Sequence, residues 1–361
     1  MQARKMTVLG LAVLLLFAGI AQANVLNMGG TRDAQGHWTG LASLETVHVD
    51  NAGNAGEWSG HSSGGYGPDR ICGAVSYEYN IGKYEVTAGQ YTEFLNKVAK
   101  TDAYGLYDIG MLNDGGCKIA RSGSSGSYTY SIASDYANRP VSCVSYWDAC
   151  RFANWLSNGQ PTGAQDANTT ERGTYTLDGY NGTDGRTIQR NPNSTWAVTS
   201  EDEWYKAAYY GPTLNSGSGG YWDYPTKSNT LPGQDMADAS GNNANYYTAP
   251  YVNPIESGLY NTTVVGEFQN SASPYGTFDQ GGNVFEWNES VVYQGSTYAG
   301  RSVRGGSWMA NLDNELAAAS HFGADPSDEG GFIGFRIVEV PEPATLSLLA
   351  LGGLAILRRR K

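Results

Sequence analysis

Apolar residues recur at helical spacing in three short stretches of this chain, and each stretch opens on a capping signal. Thr87 and Gln90 form a capping box, after which Tyr91, Phe94, Leu95 and Val98 fall on one face. Ser145 is the N-cap candidate of the second, with Asp148 in its first turn. Trp147, Cys150, Ala153 (or Asn154) and Leu156 follow near helical spacing up to the stop at Gly159-Gln160-Pro161. Ser200, with Glu203 at the reciprocal position, opens the third, which runs through Trp204, Tyr205, Ala207 and Ala208 and ends before Gly211-Pro212. Strand signals are shorter: alternation over Ser76–Ile81, the triplet Trp196–Val198, Val303-Arg304 before a glycine pair, and an apolar run over Phe332–Val338. Between them lie Gly/Ser/Asn-rich stretches, read as loops, at 51–67, 121–131, 159–193 and 210–253. Few helices, short strands and long loops predict an α+β architecture with much irregular structure.

Composition sharpens this picture. Charged residues are only 16% of 361, and 48 Gly and 25 Tyr stand in their place. Tyrosine suits polyhydroxylated ligands, since it offers a flat apolar face and a hydroxyl. The plainer reading puts these tyrosines on the surface of the long loops. The net charge of −12 and the lack of a basic patch inside the domain exclude nucleic acid as a partner.

Both ends read as addresses. Arg4 and Lys5, the apolar run Val8–Ile20 and the site Ala21-Gln22-Ala23 make residues 1–23 a secretory signal peptide. At the other end, Pro341-Glu342-Pro343 leads into 14 uncharged residues, Ala344–Leu357, and then Arg358, Arg359, Arg360 and Lys361. The run is shorter than the roughly 20 residues of a bilayer span. It reads as a short membrane anchor or as a sorting tail. The segment resembles the PEP-CTERM signal of Gram-negative bacteria. That resemblance implies handling by an exosortase and delivery to the cell surface or an extracellular polysaccharide matrix, with transient anchoring in the membrane. The layout expected is signal peptide 1–23, lead-in 24–44, domain 45–339 and sorting segment 340–361.

Within the domain, five blocks fall in a telling order: IGKYEVTAGQYTEFLN, RPVSCVSYWDACRFANWLS, TSEDEWYKAAYYGP, then FDQGGNVFEWNES with RSVRGGSW, and finally GFIGFRIV. Together they resemble the sulfatase-modifying-factor family, the formylglycine-generating-enzyme-like domains. The resemblance implies a C-type-lectin-like fold poor in regular structure, which accommodates the long loops. In the oxidase members two copper-binding cysteines follow the GGSW-like block, at positions held here by Ala310 and Glu315. Neither is the soft thiolate a Cu(I) oxidase needs, so no copper is expected. The groove candidates are Arg304, Ser307, Trp308, Ala310 and Glu315. The family also implies structural Ca²⁺ beside the FDQGGNVFEW block. Side-chain oxygens would come from Asp279 and Glu286, and backbone carbonyls from Gly282 and Val284, the hard ligands calcium prefers. Without metal, Asp279 and Glu286 would simply cap turns. A second family site would use Asn245 and Tyr246 with residues near Ser257 and Leu259, where Ser257 replaces the family's acidic ligand.

Other catalytic chemistry fails on inventory. His37, His48, His61 and His321 have no metal-ligand spacing, and neither a G-x-S-x-G elbow nor a phosphate loop occurs. Glu201 and Glu203 sit where helix capping explains them. Arg304 reads as half of a buried ion pair, with Glu286 as partner. The four cysteines of an exported chain allow up to two disulfides in three connectivities; Cys150, on its buried stripe, reads equally as a free thiol or as half of a bridge, and Cys72–Cys117 is the favoured pair. Two functions remain. One is a non-catalytic surface or matrix module binding a polysaccharide, peptide or protein. The other is an enzyme using a diverged groove around Ser307, Arg304 and Trp308.

Overall fold

Most of the regular structure is carried by a five-stranded and a four-stranded sheet, clamped by three capped helices and accompanied by two-stranded ribbons, in a computed structural model. It describes residues 43–113, 116–192, 194–236, 239–247, 261–295, 298–310 and 314–340, preceded by residues 25–26, 28, 31–32 and 38–39. The expected signal peptide, the sorting segment from 341 onward, Ser257 and Leu259 lie outside these residues. In chain order the elements used below are β1 (Val25–Leu26), β2 (Leu44–Val49), β3 (Tyr79–Gly82), α1 (Ala88–Val98), α2 (Tyr146–Ser157), β4 (Trp196–Val198) and α3 (Glu201–Tyr209). They continue with β5 (Phe285–Gln294), β6 (Ala299–Arg304), β7 (Phe322–Ala324), β8 (Ile333–Gly334) and β9 (Ile337–Glu339). One sheet has the order β1-β2-β3-β9-β4, with every pairing antiparallel. The other has the order β7-β6-β5-β8, antiparallel except for β5 with β8.

All three helix starts form as the sequence predicts. Thr87, Ser145 and Ser200 each accept from the backbone N–H three residues on, and Gln90, Asp148 and Glu203 reach back to the cap N–H. Each pair satisfies two otherwise orphaned donors. The apolar face of α1 is fully buried, with Phe94 set edge-on to Phe152 at 5.3 Å between ring centroids. Trp155 lies 5.2 Å from Phe94, and Phe335 lies 5.5 Å from Phe152, so α1 and α2 meet each other, and α2 meets the segment between β8 and β9, through aromatic rings. Each such ring contributes roughly 1.5–3 kcal/mol by leaving water.

The structure corrects several local expectations. The tyrosines are largely core residues: Tyr79, Tyr91, Tyr130, Tyr146, Tyr175, Tyr205 and Tyr209 are all buried. Most of these hydroxyls find acceptors, as Tyr91 does on the Leu106 carbonyl at 2.9 Å and Tyr130 on that of Ala99 at 2.8 Å, while that of Tyr146 has none. Residues 121–131, read as loop, belong to a hairpin of Ile119–Ser122 with Thr129–Ile132. The run Phe332–Val338 is not one strand. It breaks between β8 and β9, where Arg336 turns inward. β2 and the ten-residue β5 were not foreseen as strands.

Candidate functional site

The β5–β6 hairpin organises the FDQGGNVFEW and RSVRGGSW blocks around two buried arginines. Glu286 lies opposite Arg304 in the strand register, yet the two do not pair with each other. The Arg304 Nε donates to Glu201 Oε1 at 2.6 Å. Its Nη1 donates to the carbonyls of Ala318 and Ser320, and its Nη2 to Ser59 Oγ and the Cys72 sulfur. The five N–H groups of the guanidinium are thus all engaged, and Tyr205 lies under the cation at 4.8 Å. Glu286 instead accepts from Arg336 at 2.6 Å on both carboxylate oxygens, and from Trp204 Nε1 at 2.8 Å. Each carboxylate takes the arginine that its own neighbours can surround with further acceptors, which is the condition for burying an ion pair. Arg70 also reaches Glu201, at 2.5 Å, and His321 Nδ1 lies 3.0 Å from it. Burial pushes the Glu201 carboxyl up, but Arg304, His321 and Arg70 pull harder and hold it well below the usual range.

The groove candidates follow β6. Gly305 and Gly306 are both left-handed, and a Cβ on Gly306 would come within 2.8 Å of Leu316 Cδ1. They make a tight turn, which buries Ser307 completely. The Ser307 hydroxyl accepts from the Met309 N–H at 3.2 Å. Ala310 is 2% exposed and packs in a small apolar cluster with Ala244, Tyr246 and Leu316. Trp308 and Glu315 are each half-buried. At the first of the two copper positions, then, the space is filled by side chains.

The expected calcium ligands lie along one segment, whose loop is pinned on two sides. The Gly282 N–H donates to the Gly305 carbonyl and the Asn283 N–H to that of Asn245, both at 2.8 Å. Gly282 is left-handed, and a Cβ there would lie 2.3 Å from the Asn245 carbonyl oxygen. Asp279 accepts from the Gly266 N–H at 2.5 Å, and burial pushes its carboxyl up to about 7. Asp279 offers one hard oxygen to a cation, whereas the charge of Glu286 is already engaged by Arg336. At the second site the buried Asn245 Oδ1 has no hydrogen-bond partner, a vacant hard oxygen of the kind calcium takes. Among the described residues no group of three or more His, Cys, Asp or Glu side chains is placed to hold a metal. Sequence reasoning missed Glu85. It is 2% exposed with both carboxylate oxygens unpartnered, and burial, with Asp279 and Glu286 nearby, raises its carboxyl well above the ordinary range. It borders a void of about 10 Å³, room for one water. Only its position between apolar Tyr84 and Val86 hinted at burial.

The thiols are dispersed. Cys72 sits with Trp204, Tyr205 and Ala318 in a cluster separate from the main core that holds Cys117, Cys143 and Cys150. All four are free and buried, so the favoured Cys72–Cys117 bridge does not form. Burial pushes Cys72 and Cys143 up to about 12 and Cys117 to about 11, which leaves them as inert thiols.

Two small sheets, capped helices and long pinned loops define a C-type-lectin-like α+β module of the formylglycine-generating-enzyme type. Solved structures with this fold include CarF, with TM-score 0.51 and 22% identity over 83% of this chain and 99% of that one. Another is variable protein 1 of Treponema denticola, with TM-score 0.51 and 17% identity over 88% and 99%. PvdO from Pseudomonas aeruginosa aligns at TM-score 0.45, with 20% identity over 83% and 95%. Residues 73–340 match the sulfatase-modifying factor enzyme 1-like domain, and the chain belongs to that family. Residues 339–361 match the PEP-CTERM protein-sorting motif, which marks the protein for export and cell-surface sorting through exosortase machinery in Gram-negative bacteria. No curated protein matches the chain. No helix among the described residues is long and apolar enough to cross a membrane.

Proposed function

We propose that the protein is a non-catalytic binding or structural module of the cell surface or extracellular matrix, with a polysaccharide, peptide or protein as ligand. The burial of Ala310 carries this reading. A copper oxidase needs an accessible pair of thiolates there, and this chain has a packed methyl group at one position and a carboxylate at the other. Arg304, the most reactive-looking neighbour, has no donor left for a substrate. The sorting motif supports the same reading, because a domain sorted to the cell surface would meet polymers and neighbouring proteins. The N-terminal signal peptide belongs to the same proposal.

Calcium is the structural ion of this reading. Asp279 would hold it with the carbonyls of Gly282 and Val284 and the remaining lone pairs of Glu286, while Asn245 would serve a second ion. When bound, the ion supplies positive charge to a loop region rich in buried carboxylates.

The test is incubation of the purified protein with a sulfatase-type cysteine peptide, with and without copper, followed by mass spectrometry. Unchanged peptide is the expected result. Copper-dependent formylglycine would overturn the proposal.

A further inference from the structure

One end of the β5–β6 hairpin, where the strand register slips between Asn288 and Val291, borders a cleft of about 270 Å³. Arg186, Gln189, Arg190, Glu289, Val291 and Arg301 line it. Its three arginines are balanced: Arg186 pairs with Asp184, Arg190 bridges Glu203 and Glu289, and Arg301 donates to backbone carbonyls. An unbalanced charge lies instead in the interior, at Glu85. This residue is 2% exposed, and neither of its carboxylate oxygens has a hydrogen-bond partner. Buried charges are paired, hydrogen-bonded or bound to a metal, because a bare one is too costly to keep.

The connection from β3 to α1, which carries Glu85, is stitched to the loop that carries Asp279. Arg336 donates through Nη1 to the Gly82 carbonyl and through Nη2 to that of Phe278, both at 2.9 Å. The Phe278 N–H donates to the Lys83 carbonyl at 2.8 Å, and the rings of Tyr84 and Phe278 stand 5.7 Å apart. Gly266, whose N–H holds Asp279, also abuts Tyr84: a Cβ there would lie 2.5 Å from Tyr84 Cε1. Of the charges around Glu85, that of Asp279 acts on it most strongly, ahead of Glu286. Three carboxylates thus face one guanidinium, and Arg336 spends its Nε and Nη2 on Glu286. Lys83, the adjacent lysine, pairs with Glu45 at 3.3 Å. Protonating Glu85 would remove its charge but leave a buried hydroxyl with no acceptor, which still carries a desolvation cost. A divalent cation meets both needs, since it cancels the two surplus charges and gives the bare oxygens a partner.

We infer that Glu85 is a ligand of the calcium ion held at Asp279, so that the ion ties the β3–α1 connection to the loop before β5. The inference rests on the structural ion proposed above and adds to it a residue from outside the FDQGGNVFEW block. The site then consists of two acidic side chains with carbonyl oxygens, hard ligands of the kind calcium takes in irregular geometry. Asp279 is half-buried, which gives the ion a way in from solvent, while Glu85 closes the site from inside. Glu286 keeps Arg336 as its charge partner.

The experiment is calorimetric titration of the full chain, stripped with EDTA, with calcium chloride, repeated on Glu85→Gln and Asp279→Asn. Wild type should bind, and each variant should bind at least about tenfold more weakly, a difference of about 1.4 kcal/mol or greater. Melting gives a second readout with a sign of its own. In EDTA Glu85→Gln should melt above wild type, because the amide removes a charge that only the ion compensates. In excess calcium it should melt below wild type. Equal losses in both conditions would make Glu85 a plain packing residue and overturn the inference. Should Glu85→Gln fail to fold, terbium, a luminescent stand-in for calcium, decides the matter. Glu85→Asp draws the carboxylate back by one methylene and should add about one water to the bound ion, read from lifetimes in light and heavy water. An unchanged count overturns the inference. Binding lost in Asp279→Asn but kept in Glu85→Gln overturns it too, and leaves the ion with the FDQGGNVFEW loop alone. No binding at millimolar calcium removes this inference and the structural ion together, while the non-catalytic reading still rests on the peptide assay.

Discussion

Arg304 and Arg301 leave the same strand, three residues apart, and have opposite fates. At the glycine-turn end of the hairpin, Arg304 is fully buried and spends every donor on Glu201, three protein oxygens and a sulfur. At the bulged end, Arg301 meets only carbonyls and a ring and borders open space. The family's chemistry belongs to the first end, and there this chain is packed. The lesson is that a retained motif can be retained for cohesion. RSVRGGSW holds α3 and the loops before β7 together through Arg304, whatever became of catalysis.

The comparison breaks most visibly at Arg304. Arg304→Ala should leave Glu201 buried with only Arg70 and His321, at a cost of about 3–5 kcal/mol read as a lowered melting temperature. A loss under 1 kcal/mol would mean that this end is not a structural clamp. Its pH signature has a fixed sign. The Glu201 carboxyl is held below its unfolded value near 4.5, so the stability it contributes is present above that pH and lost as pH falls through and below it. Glu201→Gln should therefore flatten the acid limb of the melting curve. Calcium comes next: at 100 times its dissociation constant it should add about 2.7 kcal/mol. A chelator should reverse the gain, and Asp279→Ala with Glu286→Ala should abolish it. An unchanged melting temperature on calcium addition removes the ion from the account. Filling the packed end further, with Ala310→Cys alone, should cost up to about 1–3 kcal/mol by overpacking against Leu316 and Tyr246. A neutral result there would point to a groove that still has room. The smallest effect is at the open end. Arg186→Ala removes a half-exposed ion pair and should shift stability by no more than about 0.5 kcal/mol. That small shift, set beside the large loss at Arg304, sharpens the contrast between the two ends of the hairpin.

Local capping chemistry made the helices legible: Thr87, Ser145 and Ser200 act through neighbours three residues away, and a sequence displays such neighbours directly. Trp196–Val198 was legible for the same reason, a short apolar triplet set before a cap. The partners of Glu286 and Arg304 were not. Strand register places them opposite each other, but the choice between Arg304 and Arg336 depends on acceptors brought from residues 59, 318 and 320, far away in the chain. Tyrosine was misjudged because its hydroxyl reads as a surface group until a carbonyl is found for it. The cleft left no motif: Arg186 and Arg190 lie in a stretch read as loop, and only folding sets them against Arg301.

The sorting motif begins at Glu339, inside β9, and β9 is an interior strand hydrogen-bonded to β3 on one side and β4 on the other. The match to the motif thus overlaps the last strand of the sheet. Drag on a surface-held protein would therefore load the pairs of Val338 and Glu339 with Ile81 and Asn80, and with Ala197 and Trp196, in shear along the strand axis. Bonds loaded side by side share the force, whereas a terminal helix would yield turn by turn. A load applied at the motif end would enter the domain as through a rivet, by the middle of the plate.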